Sequence, residues 1–261
     1  MRRDIRARMA RFAGYAAGIG THVLFAYTVW HLFWFLKDGR AASTGGNLGL
    51  DAALALMFAV PHSLLLYPAV RSKLVKVIPA AFYGLFYTVA TCVSLLLLFH
   101  YWQGSDVVFW DLDGAGWGVM TAGFYASWIA LFYSLYLTGL GYQTGLTPWL
   151  YWVRGEKPPR RGFDACGAYR FIRHPVYLSF MGLVWFTPHM SLDHVILTGI
   201  WTMYLFVGSY LKDRRLAYFL GDSYLEYQSR VPGFPLMPFG PLARIPVKAP
   251  TTDQQTPRRA A

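Results

Sequence analysis

The sequence is short of charge. Of its 261 residues only 14% are Asp, Glu, Lys or Arg, against about 25% in an average soluble domain. A chain so poor in charge cannot cover a soluble surface of its size. Acidic residues are the scarcer kind: 13 Asp and Glu stand against 24 Lys and Arg, a formal charge of +11. Cysteine is nearly absent. Cys92 falls inside an apolar block and Cys166 in a basic loop, which argues against a structural disulfide, and no Cys-x-x-Cys redox or metal pattern occurs. Histidine clusters are missing too. His22, His31, His100, His189 and His194 are scattered near the ends of apolar blocks, with no His-x-x-x-His or His-x-x-His-His box, so a metal site is not expected. The chain also lacks a glycine-rich phosphate loop, an RNA-binding or zinc-finger pattern, and an internal repeat. The basic excess therefore does not point to nucleic acid. It gathers at the ends of apolar blocks, where it would face an anionic membrane leaflet.

What is present is apolar: 55% hydrophobic and 18% aromatic residues. A membrane span needs about 20 mostly apolar residues. Six candidates follow: Gly14 to Leu36, Leu50 to Val70, Ala80 to Trp102, Trp117 to Leu140, a short one from Pro175 to Pro188, and Leu192 to Leu211. The first is too long and too aromatic for a cleaved signal, and no small-residue cleavage site closes it. The second contains Pro61, tolerable in a membrane helix when neighbours satisfy the freed carbonyl. The fifth and sixth read as a tight helical hairpin turning at Thr187 to Asp193. Loop charges support the count. Basic segments (the N-terminus; Arg71, Lys73 and Lys76; Arg154 to Arg173; the C-terminal tail) alternate with neutral or acidic ones such as Asp106, Asp111 and Asp113. That is the positive-inside pattern for six spans with both termini cytoplasmic. Trp30, Trp34, Trp102, Trp110, Trp117, Trp149 and Trp152 lie near span ends, as interfacial aromatics do.

The expected fold is thus all-α, a polytopic helical bundle of about six transmembrane helices. After the last span, Leu216, Phe219 and Leu220 share a helical face that Tyr224 and Tyr227 continue beyond Gly221. This predicts a C-terminal cytosolic amphipathic helix folded back on the bundle. One membrane domain is expected over residues 1–246, followed by a polar, basic, Pro/Thr-rich tail, 247–261, expected to be disordered.

The stretch GAYRFIRHPVYLSF, residues 167–180, carries the chemistry. A basic loop ends in Arg173 and His174, and Pro175 begins an apolar helix, the position where a missing N–H costs nothing. The free N–H groups behind it form a partial positive end. Arg173 adds a fixed cation with a planar donor fork, and His174 is able to relay a proton near neutral pH. Tyr177, three residues on, shares the His174 face. The same arrangement also serves plain interfacial anchoring, so local physics offers an anion-friendly helix start and names no reaction. His62, in the second span, is polar at membrane depth and so a functional candidate. Its alternative is a bond to a backbone carbonyl freed at Pro61.

The segment GAYRFIRHPVYLS, with LKDRRLAYFLGDSYLEYQSRVP some thirty residues later, resembles the isoprenylcysteine carboxyl methyltransferase-like superfamily of membrane methyltransferases. The match covers about residues 160–235. FAVPHSLLLYPAVRSKLVKVIPAAFYGLFYTVATCVSLLLLFHYW, VVFWDLDG and WFTPHMS resemble a narrower branch, the bacterial methanethiol S-methyltransferases and their NnrU-type relatives. The resemblance implies a bacterial inner-membrane enzyme. It would use S-adenosylmethionine to methylate a small thiol, methanethiol, to dimethyl sulfide. Its cofactor site would comprise Arg173, His174, Pro175, Tyr177, Asp213, Tyr224 and Tyr227, with His174, Tyr177 and His62 as catalytic candidates. A lipid, quinone or prenylcysteine acceptor, or a non-catalytic accessory role, are the alternatives. One departure is notable: the family usually carries two adjacent glutamates where this chain has Lys212 and Asp213.

Overall fold

A computed structural model describes residues 2–40, 46–159 and 164–246; the expected disordered tail, 247–261, lies outside the described residues. The elements in chain order are α1 (Arg2–Asp38), α2 (Leu48–Leu66), α3 (Pro68–Leu74), α4 (Ala80–Tyr101), β1 (Val108–Asp111), α5 (Gly114–Thr138), α6 (Leu140–Gln143), α7 (Leu146–Arg154), α8 (Pro175–Trp185), β2 (His189–Ser191), α9 (Leu192–Leu220) and α10 (Asp222–Arg230). The all-α membrane architecture is as expected. In lipid a backbone must satisfy its own N–H and C=O groups, and helices do so within one segment.

Among the described residues five helices are long and apolar enough to cross a membrane: Arg8–Asp38, Leu48–Leu66, Ala80–Tyr101, Gly114–Thr138 and Leu192–Leu220. The expected fifth span is the exception. Its helix, α8, has 11 residues, so at 1.5 Å per residue it reaches only about half of the ~30 Å hydrocarbon core. Two further boundaries differ from the sequence reading. α1 starts at Arg2, well before Gly14, and α9 runs unbroken past Leu211 to Leu220. The latter stops at Gly221, whose φ of +58° and ψ of −137° suit glycine alone.

The chain forms two compact units, Met1–Gly162 with Pro175–Gly208, and Phe163–His174 with Ser209–Ala261. The first is the helical bundle. Its core joins Leu32, Phe35 and Leu36 of α1, Leu54 and Ala55 of α2, Leu95, Leu98 and Phe99 of α4, Phe124, Trp128 and Leu131 of α5, Leu183 and Val184 of α8, and Leu197 and Trp201 of α9. α8 lies close against α5 because both surfaces carry glycine there. A Cβ at Gly182 would stand 2.2 Å from Ser127 Oγ, and one at Gly123 would stand 2.7 Å from the Phe186 ring. Small residues of this kind let membrane helices approach.

One end of the bundle is laced by polar groups. β1 and β2 pair antiparallel, Val108 with Ser191 and Asp111 with His189. Leu112 N–H donates to Pro188 O, and Leu192 N–H to Val107 O. The buried Asp193 accepts from Trp102 Nε1 and from Ser105 N–H, both at 2.9 Å. Buried Asp51 accepts from Gln103 N–H at 2.9 Å. The acidic α4–α5 connection and the α8–α9 turn therefore share one end of the bundle. Trp102 is 4% exposed and Trp149 8%, so both are internal packing residues and not the interfacial aromatics expected of them. Trp149 donates to Gly14 O of α1 at 2.8 Å.

Candidate active site

The C-terminal unit is built around a buried carboxylate. Arg173 donates from Nε and Nη2 to Asp213 Oδ2 at 3.1 and 2.9 Å. His174 Nε2 lies 3.0 Å from Asp213 Oδ1, and the Tyr224 hydroxyl donates to the same oxygen at 2.5 Å. Four donors thus occupy both oxygens, which is about the full capacity of a carboxylate. The remaining Arg173 nitrogen, Nη1, donates to the carbonyls of Val231 at 2.5 Å, Ala243 at 3.1 Å and Gln228 at 3.3 Å. Backbone bonds run alongside: Arg173 N–H to Pro232 O and His174 N–H to Gly233 O. Arg173 and His174 are 2% and 0% exposed, so the Arg173 charge would not be tolerable without these partners.

Aromatic groups complete this unit. Tyr224 and Tyr227 pack with Val231, Ala165, Leu216 and Leu220, and the Tyr227 hydroxyl donates to Tyr169 O at 2.6 Å. The Phe234 ring lies 5.7 Å from the His174 ring. Lys212 Nζ stands 5.9 Å from the Tyr169 ring centroid. Burial lowers the pKa of His174 below its usual 6.5, partly offset by the bond and charge of Asp213. Burial raises both tyrosines, and for Tyr224 the adjacent Asp213 carboxylate raises it further. At neutral pH a neutral His174 and protonated Tyr224 therefore surround the buried Arg173–Asp213 pair.

The bundle holds a second polar group. His62 of α2 lies with Nε2 2.5 Å from the Tyr87 hydroxyl of α4 and with Nδ1 3.1 Å from Thr91 Oγ1. Its partners are side chains, not the carbonyl that Pro61 frees. Phe58 and Tyr204 flank the ring at 5.2 and 6.2 Å, and the Tyr204 hydroxyl bonds to Ser63. Tyr177 of α8 packs where Gly208 leaves room: a Cβ there would lie 3.2 Å from Tyr177 Cε1. Tyr177 also neighbours Tyr204. Two residues singled out separately in the sequence, His62 and Tyr177, thus border one residue that was not, Tyr204.

The expected set falls into two groups. Arg173, His174, Asp213, Tyr224 and Tyr227 come together in the C-terminal unit, while Pro175, Tyr177 and His62 belong to the bundle. Sequence reasoning missed Tyr87, Thr91, Tyr204 and the carbonyls of 228, 231 and 243. Tyrosine and threonine are common in apolar helices and carry no spacing signal. Among the described residues no group of three or more His, Cys, Asp or Glu is arranged to hold a metal ion.

Comparison with known proteins places the chain in a family. The NnrU protein family model matches residues 52–239. Methanethiol S-methyltransferase 1 of Bradyrhizobium diazoefficiens is 28% identical over 238 residues, covering 86% of this chain and 82% of its own. Methanethiol S-methyltransferase of Mycobacterium tuberculosis is 30% identical over 220 residues, 84% of this chain and 87% of its own. Nurim of Rattus norvegicus is 25% identical over 185 residues, covering 66% and 69%. No solved structure matches the chain. With well over half its length matched by the family model, and the Arg173–Asp213 pair formed within the matched region, the chain belongs to the NnrU protein family.

Proposed function

We propose that this protein is a membrane methyltransferase that transfers a methyl group from S-adenosylmethionine to methanethiol, releasing dimethyl sulfide. The observation that carries the reading is the closed Arg173–Asp213–His174–Tyr224 network. It joins Arg173 and His174 to an acid near the end of α9, in a chain similar to enzymes named for this reaction. Both termini face the cytoplasm of a bacterial inner membrane in this reading, because basic segments alternate with neutral or acidic ones along the sequence.

The residues fit the methyl donor by their chemistry. Arg173 and Asp213 satisfy each other, so their part is to fix the frame and not to offer charge. Tyr169 and Phe234 supply aromatic faces suited to a sulfonium and an adenine. Lys212, beside Tyr169, supplies the cation that suits an amino-acid carboxylate, which gives the reversed charge at this position a use. Bound there, S-adenosylmethionine supplies an activated methyl group for in-line displacement. The protein's own contribution is alignment and exclusion of water. Tyr177 and His62, both in the bundle, are the further catalytic candidates.

Purified protein in detergent should release labelled dimethyl sulfide from methyl-labelled S-adenosylmethionine and methanethiol, and should bind the donor in calorimetry. No volatile product above an Asp213→Asn protein would remove the catalytic reading. Absence of donor binding in a folded preparation would favour a non-catalytic accessory role.

A further inference from the structure

The bundle carries a pocket of mixed character at its laced end. The pocket holds about 140 Å³ and lies where the end of α1, the first turns of α5 and the end of α8 meet, with Lys37, Asp38, Trp117, Thr121, Tyr125 and Phe186 around it. Sites for whole drug-sized molecules run to about 300–1,000 Å³, so this one has room for one end of a molecule. Lys37 and Asp38 are the last two residues of a membrane-length apolar helix. Pro188, which also lines the pocket, accepts from Leu112 N–H beside the β1–β2 pair. The pocket therefore stands at the membrane–water boundary, at the level of the phospholipid headgroups. Its lining offers both signs of charge. The Asp38 carboxylate and the C-terminal ends of α1 and α8 favour a cation, and the exposed rings of Trp117, Tyr125 and Phe186 offer it π-faces. Lys37 supplies the opposite charge, its ammonium 3.2 Å from Asp38 Oδ1 and 4.8 Å from the Trp34 ring centroid. An exposed pair of this kind is weak, so both partners can turn at little cost to a ligand that itself carries both charges. Exposed Asp106, Asp111 and Asp113 share this end of the bundle and disfavour a ligand that is only anionic.

We propose that this pocket binds the headgroup of a zwitterionic phospholipid of the phosphatidylethanolamine type, with Asp38 and the aromatic rings taking its ammonium and Lys37 its phosphate. The inference concerns the bundle alone and does not rest on the methyltransferase reading. The neighbouring helix surfaces identify the occupant as a lipid. Trp34 and Trp30 lie one and two turns back along α1 from Asp38, and Ile129 and Phe132 continue α5 beyond Tyr125; all four are exposed. Acyl chains hanging from a headgroup in the pocket would have these apolar surfaces to lie on. A soluble ammonium compound would fill the pocket and leave them bare. Phosphatidylglycerol would meet Lys37, but it has no ammonium for Asp38 and would bring a net negative charge to the acidic end.

The test is native mass spectrometry of the full-length, delipidated protein in detergent, titrated with phosphatidylethanolamine and, separately, with phosphatidylglycerol of the same acyl chains. One phosphatidylethanolamine should be retained about fivefold more tightly than phosphatidylglycerol, the scale of one cation–π contact at a partly exposed site. Asp38→Asn and Trp117→Leu should each remove most of that preference. Asp38 is exposed, so its variant is expected to fold. Thr121→Phe, which fills the pocket and leaves its charges in place, should remove the preference as well. Equal retention of the two lipids by the unaltered protein overturns the proposal. A preference that survives both Asp38→Asn and Thr121→Phe overturns it too, because the lipid then sits elsewhere. Glycerophosphoethanolamine, which has the headgroup and no chains, should bind far more weakly than the lipid; equal binding overturns the assignment to a membrane lipid.

Discussion

Asp213 illustrates how a single side chain can be structural and functional at once. Its two oxygens receive Arg173, His174 and Tyr224, so removing its charge leaves a guanidinium buried with carbonyls alone. Asp213→Asn should destabilise the C-terminal unit by about 3–5 kcal/mol, the usual cost of breaking a buried pair from one side. Limited proteolysis between residues 209 and 246 would report it. His174 makes a pH prediction. Its folded pKa lies below 6.5 because burial disfavours the charged ring. The unfolded chain therefore takes up the proton first as pH falls. The contribution of this residue is complete above about pH 6.5 and declines as pH drops below it towards the folded value. Thermal midpoints measured between pH 8 and pH 5 should fall more steeply for the unaltered protein than for His174→Gln. The sequence made Arg173, His174 and Asp213 legible because rare ionisable groups beside apolar helices stand out. It did not make Tyr87 or Thr91 legible, since their meaning depends on which helix lies beside His62.

Element by element, the apolar blocks translated well into helices, and the exceptions have physical causes. α8 is short because Pro188 and the β2 pairing end it, yet it still brings its C-terminus to the laced end of the bundle. Its backbone near α5 depends on Gly182. Gly182→Val should cost about 1–3 kcal/mol by overpacking against Ser127, seen as a lower aggregation temperature in detergent. Gly199→Ala on α9, where a Cβ would meet nothing within 4 Å, is the matched control and should be neutral or slightly stabilising. α7 was hidden inside a stretch that reads as a basic loop. Its Trp149 and Trp152 look interfacial in sequence, because only the fold reveals the glycines at 14 and 18 that receive them.

For the molecule as a whole, the positive-inside pattern predicts a definite orientation. In a protein freed of Cys92 and Cys166, a membrane-impermeant thiol reagent applied to intact cells should label Asp106→Cys and spare Glu156→Cys, with the reverse in inverted vesicles. Labelling of both from the same side would refute the crossing of α5 between them. The C-terminal unit also has a consequence for biosynthesis. Arg173 is held by the carbonyl of Ala243, seventy positions further along the polypeptide. A ribosome releases these two residues far apart in time, so the guanidinium must wait, hydrated, while the last long helix is threaded into lipid. Closure is thus a late, post-insertion event, and a product cut short before residue 243 would be recognisable to quality-control proteases by the unsheltered cation it still displays.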